Sequence, residues 1–237
     1  MRVAIVGAGR AGSSFSVALR RVGHDVQVVH HDQLEWIQDV DLILLCVPDD
    51  AIADVSTRLA PDASRVVAHV AGSRNLDVLS PHPRVASLHP LVPLPSTEVG
   101  ATRLFGATYS VAGDALAVEL VRSLDGRVIR LSDTQRTAYH ATATVAANHL
   151  VVLLAHVARL AQSAGLELED FLPLARLALE DVEARGPEAA LTGPASRGDM
   201  ATIDAHLDAI PEAERSTYVA LAHAAFELAE RRSTTTA

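Results

Sequence analysis

The chain contains no lysine: all 20 of its basic residues are arginine. That absence excludes every mechanism built on a lysine general acid or a lysine Schiff base. Cysteine occurs once, as Cys46, so no intrachain disulfide can form and nothing calls for an oxidising compartment. Positive charge is in deficit. Acids number 29, the formal net charge is −9, and no basic patch stands out, so nucleic acid is not an expected partner. The 11 histidines do not assemble with cysteine or acids at ligand spacing, so no metal site is expected. The longest apolar stretch, around Val145 to Ala161, is interrupted by Asn148, His149, His156 and Arg159 and reads as too polar for a membrane span. The first residues read as a strand rather than a cleavable leader. A soluble cytoplasmic protein is the expectation. The 237 residues suffice for one large or two modest domains, and no internal repeat is visible.

What is present begins at once. Val3-Ala4-Ile5-Val6 feeds into Gly7-Ala8-Gly9-Arg10-Ala11-Gly12, a Gly-x-Gly-x-x-Gly run, and Ser13 to Arg20 after it reads as a helix. Each glycine has a task. Gly7 permits the tight strand-to-helix turn, and Gly9 lets a diphosphate approach the backbone. Gly12 lets the helix pack on the strand with its first N–H groups aimed at the phosphates, and Arg10 and Ala11 between the glycines are expected beside the cofactor. The strand–turn–helix context is what this fingerprint of dinucleotide binding requires.

Strands read at Arg2–Val6, Val26–His30, Leu42–Val47, Val66–His69, Val85–Leu88, Thr108–Val111 and Val128–Leu131. Helices read at Gly12–Arg21, Ala51–Leu59 and Ala115–Leu124. Strands alternating with helices predict an α/β, Rossmann-type, mainly parallel sheet. Near Ser132 the texture changes. Thr134 to Ala164 lacks glycine and proline and is apolar nearly all round, which predicts one long helix that must be covered on all sides. Part of that cover is expected from a second copy, giving a homodimer. Further helices read near Glu169–Glu183, Asp199–Asp208 and Glu212–Arg231, with Asp199 as an N-cap. The expected division is therefore residues 1–133, a dinucleotide-binding domain, and 134–237, an all-helical substrate and dimerisation domain ending in a disordered polar tail, Ser233–Ala237.

In this fold the end of the second strand chooses the adenosine ribose: an acid suits NAD and a cation suits NADP. By strand pattern the selecting residues are His30 and His31; by distance from Gly12 the acid is Asp32. The histidines favour NADP. NAD stays open because neutral imidazoles hold a dianion weakly. Three loops at the carboxyl edge bring further polar groups: Val47-Pro48-Asp49-Asp50, His69-Val70-Ala71-Gly72-Ser73 and Ser87-Leu88-His89-Pro90-Leu91. Val47, Pro48, Asp49, Ala71 and Gly72 are expected beside the cofactor, and His89 beside the substrate. His69 reads equally as a strand-end histidine satisfied by backbone.

These motifs, with Tyr139-His140, Asn148 and Leu191-Thr192-Gly193-Pro194…Arg197-Gly198-Asp199, resemble a bacterial family that pairs a Rossmann-like domain with a helical C-terminal domain of unknown function. That family is similar to the pyrroline-carboxylate reductases, 3-hydroxyacid dehydrogenases and ketopantoate reductases. The resemblance implies an NAD(P)-linked oxidoreductase, its active site between the domains of a dimer. Two departures matter. The loop after the fourth strand carries Ser-Gly-Ala in this family, whereas here it is Ala71-Gly72-Ser73. The wider superfamily's hydroxyacid dehydrogenases carry a lysine one turn before an asparagine on the long helix, whereas here Thr144 precedes Asn148.

His140, Thr144 and Asn148, four apart, form a polar stripe on one helix face. The stripe and Ser73 are the catalytic candidates, with Asn148 orienting the substrate and His140 giving the proton that must accompany hydride. Tyr139 is a second possible donor, but it lies about 100° round the helix from His140, so the two are not expected to share one substrate. Thr192 and Arg197 are candidates for a substrate carboxylate, Arg197 by its fork of donors. The function expected is NAD(P)-dependent reduction of a small 2-oxo acid or imine. The alternatives are a ketopantoate-type reductase and a non-catalytic nucleotide-binding regulator.

Overall fold

The computed structural model describes residues 1–235, with side chains through Arg232. It divides into two compact units, Met1–Ala147 and Asn148–Ala237.

In the first unit, β1 (Arg2–Val6), β2 (Asp25–Val29), β3 (Leu42–Leu45), β4 (Val66–His69), β5 (Val85–Pro90), β6 (Thr108–Gly113) and β7 (Arg127–Arg130) form one sheet in the order β2-β1-β3-β4-β5-β6-β7. Only the β5–β6 pair is antiparallel. The alternation of side chains along a strand explains why these segments are apolar throughout. Val3, Ile5, Leu42, Leu44 and Ala68 point to one face and pack with Phe15 and Leu19 of α1 (Arg10–Arg21). Ala4, Val6, Ile43, Leu45 and Val67 point to the other and pack with Ile52 and Val55 of α2 (Ile52–Thr57). Each fully buried Leu or Ile contributes roughly 1.5–3 kcal/mol, so the doubly covered centre fixes the register.

The α/β, Rossmann-like class and all seven strands agree with the sequence. The helix α3 (Thr97–Arg103) was not expected; Ser96 caps it, accepting from Val99 N–H at 3.4 Å. Helix α4 (Leu116–Ser123) packs under β6 and β7. Helix α5 (Asp133–Thr144) is opened by a reciprocal Ser132–Gln135 capping box. It runs into a five-residue π-helical turn, Val145–His149, and then α6 (Leu150–Ser163). The chain's division therefore falls inside this turn rather than where the texture changes, because α5 is bonded to the sheet through Arg136 and Tyr139.

In the second unit, α7 (Leu168–Arg185), the short α8 (Pro187–Ala190), α9 (Met200–Ala209) and α10 (Glu212–Thr235) follow. Asp199 caps α9 as expected, accepting from Thr202 N–H at 3.1 Å. Glu214 ties α10 to α6: its carboxylate accepts from Arg159 Nε at 2.6 Å and Nη2 at 3.0 Å, and pairs with His156 Nδ1 at 2.6 Å. These bonds pull the Glu214 carboxyl down to about 2. Of the tail expected to be disordered, Ser233–Thr235 continue α10, and residues 236–237 lie outside the described residues.

One expectation about the long helix needs correction. By length and composition alone, Asp133–Ser163 is long and apolar enough to cross a membrane: its most apolar 18-residue window has a mean hydropathy of 1.5, the polar residues being diluted by valine, leucine and alanine. Within the chain 6% of that window is buried, so the cover its apolar surface calls for does not come from this chain. Val145, Val151 and Val152 are exposed on it, as are Leu174, Leu177 and Leu179 on α7.

Candidate functional site

The turn after β1 shows why glycine stands at Gly7 and Gly12 and leaves open space at Gly9. Gly7 has φ +104°, and a Cβ there would stand 2.6 Å from the Cys46 carbonyl oxygen. A Cβ on Gly12 would stand 1.9 Å from the Gly7 carbonyl oxygen, so α1 can pack on the turn only with glycine at this point. At Gly9 a Cβ would meet nothing within 4 Å. The space over Gly9 is open, and Gly9 caps α1 with no side-chain bond and no acid in the first turn. A helix start of this kind presents bare N–H groups and the positive end of its dipole.

Gly9, Arg10 and Ala11 line a cleft of about 510 Å³ with Val47 and Pro48 after β3, and with His89 and Pro90 at the end of β5. All of these sit at the carboxyl edge of the sheet, where open α/β sheets bind ligands. The residues fit a dinucleotide: an open glycine cradle for the diphosphate and a cleft continuing toward β4 and β5 for the far half. Cys46 also lines the cleft, and burial pushes its thiol up, which leaves it protonated and unreactive.

The second strand ends beside this turn, with Gly7 N–H donating to the Val29 carbonyl at 2.9 Å. The two ways of locating the ribose-selecting residue meet here. His30 Nδ1 pairs with Asp32 Oδ1 at 2.6 Å, and the His30 and His31 rings stand 4.2 Å apart. The bond to His30 holds the Asp32 carboxyl below its usual range. The end of the second strand thus carries a cluster of two imidazoles and a carboxylate.

Beyond the cleft the sheet carries a polar group. His69 and Ser87 are paired across β4 and β5, and His89 and Ser110 across β5 and β6. By strand parity all four share the face that Val67 occupies. Helix α5 covers them with Arg136, Tyr139 and His140, whose i, i+3, i+4 spacing places them on one side. Arg136 Nη2 donates to Ser87 Oγ at 2.8 Å. Tyr139 Oη and His89 Nδ1 are 2.8 Å apart, and the His140 ring stands edge-on to His89 with centres 6.3 Å apart. A Cβ on Gly72 would lie 2.8 Å from His140 Cδ2 and 3.0 Å from His89 Nε2, so the loop after β4 must be glycine for both rings to fit. Tyr139 and His140 therefore both reach His89. The 100° between them is spanned by the width of the helix face against the sheet.

His69 is satisfied by backbone: Ala71 N–H donates to Nδ1 at 3.2 Å, and Nε2–H donates to the Asn75 carbonyl at 3.3 Å. Burial pushes His69 down to about 4. His89 is also pushed to about 4, chiefly by burial and then by His140, with Asp49 acting the other way. Both rings are neutral at pH 7. Burial raises the Tyr139 phenol, against the opposing influences of Ser110 and Arg136.

The other candidates fall as follows. Ser73 Oγ donates to Asp49 Oδ2 at 2.6 Å, linking the loops after β3 and β4. Thr144 Oγ1 donates to the His140 carbonyl at 3.0 Å, a bond back into its own helix. Asn148 lies exposed within the π turn, where the i, i+4 spacing that defined the stripe no longer holds. Thr192 and Arg197 belong to the second unit, Arg197 closing a 3₁₀ turn before Asp199. Arg136, Ser87 and Ser110 were not singled out from the sequence. The Arg136-Tyr139-His140 spacing behind the Ser132 cap was the available signal. Among the described residues no group of three His, Cys, Asp or Glu is placed to hold a metal ion.

A family described as a domain of unknown function (DUF2520) matches residues 104–225. The chain belongs to this family. No curated protein matches it. Among solved structures, a Bacteroides fragilis protein provisionally assigned as an NADP oxidoreductase, BF3122, has a TM-score of 0.77 and 20% identity, over 95% of this chain and 98% of that one. Thermotoga maritima protein TM1727 has a TM-score of 0.76 and 20% identity, over 97% and 98%. Plasmodium falciparum pyrroline carboxylate reductase with NADP bound has a TM-score of 0.63 and 12% identity, over 98% of each chain. For this DUF2520 member these are likenesses of fold.

Proposed function

We propose that the chain is an NAD(P)-dependent oxidoreductase that reduces a small 2-oxo acid or imine by hydride transfer. The observation that carries this reading is the open side of Gly9 at the head of a cleft whose far wall is His89. Gly9, Arg10 and Ala11 would hold the diphosphate. His30 and His31 would hold the ribose side and incline the site to NADP, with Asp32 beside them as the counterweight. Val47, Pro48, Asp49, Ala71 and Gly72 would flank the nicotinamide. That ring, when bound, supplies the hydride. His140, Thr144 and Ser73 would form the catalytic surround in the first unit, and Asn148, Thr192 and Arg197, in the second, are the candidates for handling the substrate and its carboxylate. The similarity in fold to NADP-binding reductases supports the same direction. A rise in melting temperature with millimolar NADPH or NADH is the expected outcome; no rise with either removes the assignment.

We further infer a homodimer formed through the helical unit, because the exposed valines and leucines of α6 and α7 would otherwise stand in water. Light scattering should give twice the chain mass at micromolar concentration and the single mass for Leu174→Asp. A monomeric native chain contradicts this.

A further inference from the structure

Arg136 is 1% exposed, and its Nε and Nη1 have no hydrogen-bond partner among the described residues. Its nearest carboxylate, on the half-exposed Asp133, stands 3.8 Å from Nε. An almost uncompensated guanidinium under a helix is costly unless a negative charge arises beside it. The phenol of Tyr139, one turn along α5, feels this cation. Tyr139 in turn bonds His89 Nδ1, and His89 lines the cleft.

With both groups neutral the bond can run either way; the scheme takes Tyr139 O–H as the donor to Nδ1, which puts the ring's own proton on Nε2. The Nε2 edge is the one that a Cβ on Gly72 would crowd. His89 is faced by Asp49 from the loop after β3, His69 from β4, and Arg136, Tyr139 and His140 from α5.

We propose, on the reductase reading above, that His89 is the catalytic residue passing a proton to the hydride acceptor, that Tyr139 is its proton source, and that Arg136 offsets the charge left on the phenolate. When the acceptor's C=O or C=N carbon takes up hydride from the reduced dinucleotide, the π pair moves to the heteroatom, which needs one proton. The Nε2–H bond of His89 breaks to supply it. The Nδ1 lone pair takes the Tyr139 proton, so the imidazole stays neutral and exchanges one tautomer for the other. Solvent returns a proton to the phenolate once the product leaves. The scheme accounts for a buried arginine with unmatched donors and for a tyrosine and a histidine converging on His89.

The test is long-range ¹⁵N NMR of the histidine rings in the full chain without cofactor. Native His89 should show the Nε2–H tautomer at pH 7, and Tyr139→Phe should shift it toward a tautomer mixture while leaving His69 unchanged. A native Nδ1–H tautomer, or an identical His89 pattern in Tyr139→Phe, overturns the proposal. Tyr139→Phe should bind NADPH within about twofold of native. It should reduce the best acceptor in a panel of small 2-oxo acids and cyclic imines at least about 100-fold more slowly, the size of a general-acid contribution. An undiminished rate also overturns the proposal. Failure of the native chain to bind NADPH strikes the reductase reading instead, and the ring tautomers separate the two failures.

Discussion

Gly9 and Gly12 lie three residues apart in one turn, and their replacement by alanine should do opposite things. At Gly12 the new Cβ would fall 1.9 Å from a backbone oxygen, far inside the closest approach that real Cβ atoms show. The obstacle is main chain and cannot swing aside, so the turn or α1 must move. Overpacking of this kind costs about 1–3 kcal/mol, and at about 2–4 °C per kcal/mol for a chain of this size the melting temperature should fall by several degrees. At Gly9 the Cβ would meet nothing within 4 Å, and the backbone, at φ −69° and ψ −175°, suits alanine. The poorer cap costs up to about 1 kcal/mol and the stiffer unfolded chain returns about 0.4–1, so stability should hardly change. The methyl group would instead occupy the space through which a diphosphate approaches. A tenfold loss of affinity, about 1.4 kcal/mol, is the least expected. Thermal unfolding followed by circular dichroism measures the first quantity. Quenching of Trp36, the only tryptophan, on adding NADPH measures the second. If Gly9→Ala binds NADPH as the native chain does, the assignment of the open cradle is wrong.

Asp32→Asn removes the carboxylate beside His30 and His31. The preference for NADPH over NADH in paired dissociation constants should rise by no more than a few-fold, because an exposed charge contact is heavily screened; an unchanged ratio would place ribose selection elsewhere. Glu214 titrates near 4.5 unfolded and about 2 folded, so the stability it contributes is present above pH 4.5 and lost as pH falls toward 2. Glu214→Gln should lower the melting temperature at pH 7 and flatten that acid limb, and a parallel limb in both proteins would contradict the role. His69 and His89 titrate near 6.5 unfolded and about 4 folded, so stability should fall as pH drops from about 6.5 to 4. Urea unfolding at pH 7 and pH 5 measures this, and His69→Gln should reduce the difference; equal midpoints for the native chain would refute it.

The first half of the chain is legible because its signals are local and mutually consistent. Four β-prone residues before three spaced glycines, and the continuous Leu42-Ile43-Leu44-Leu45 run, each admit one structural interpretation. Asp199 declared itself as a cap by chemistry alone. The π turn at Val145–His149 did not, because it contains neither glycine nor proline, and the His140, Thr144, Asn148 stripe was drawn on an ideal helix that this turn interrupts. Helix α3 is short and its only local signals are the Ser96 cap and Glu98 in its first turn. The buried Arg136 was invisible because arginine is normally exposed, and its value lies in what stands opposite: Ser87, 49 residues earlier, reached only through the pairing of β4 and β5. Periodicity shows that a helix face is used, and sheet order decides against which residues.

Calorimetric titration of the full-length chain with NADPH, and separately with NADH, addresses the dinucleotide cradle most directly. One saturable site per chain for at least one of them, with heat that disappears in Gly9→Ala, is the predicted result. No binding of either up to millimolar concentration would contradict it.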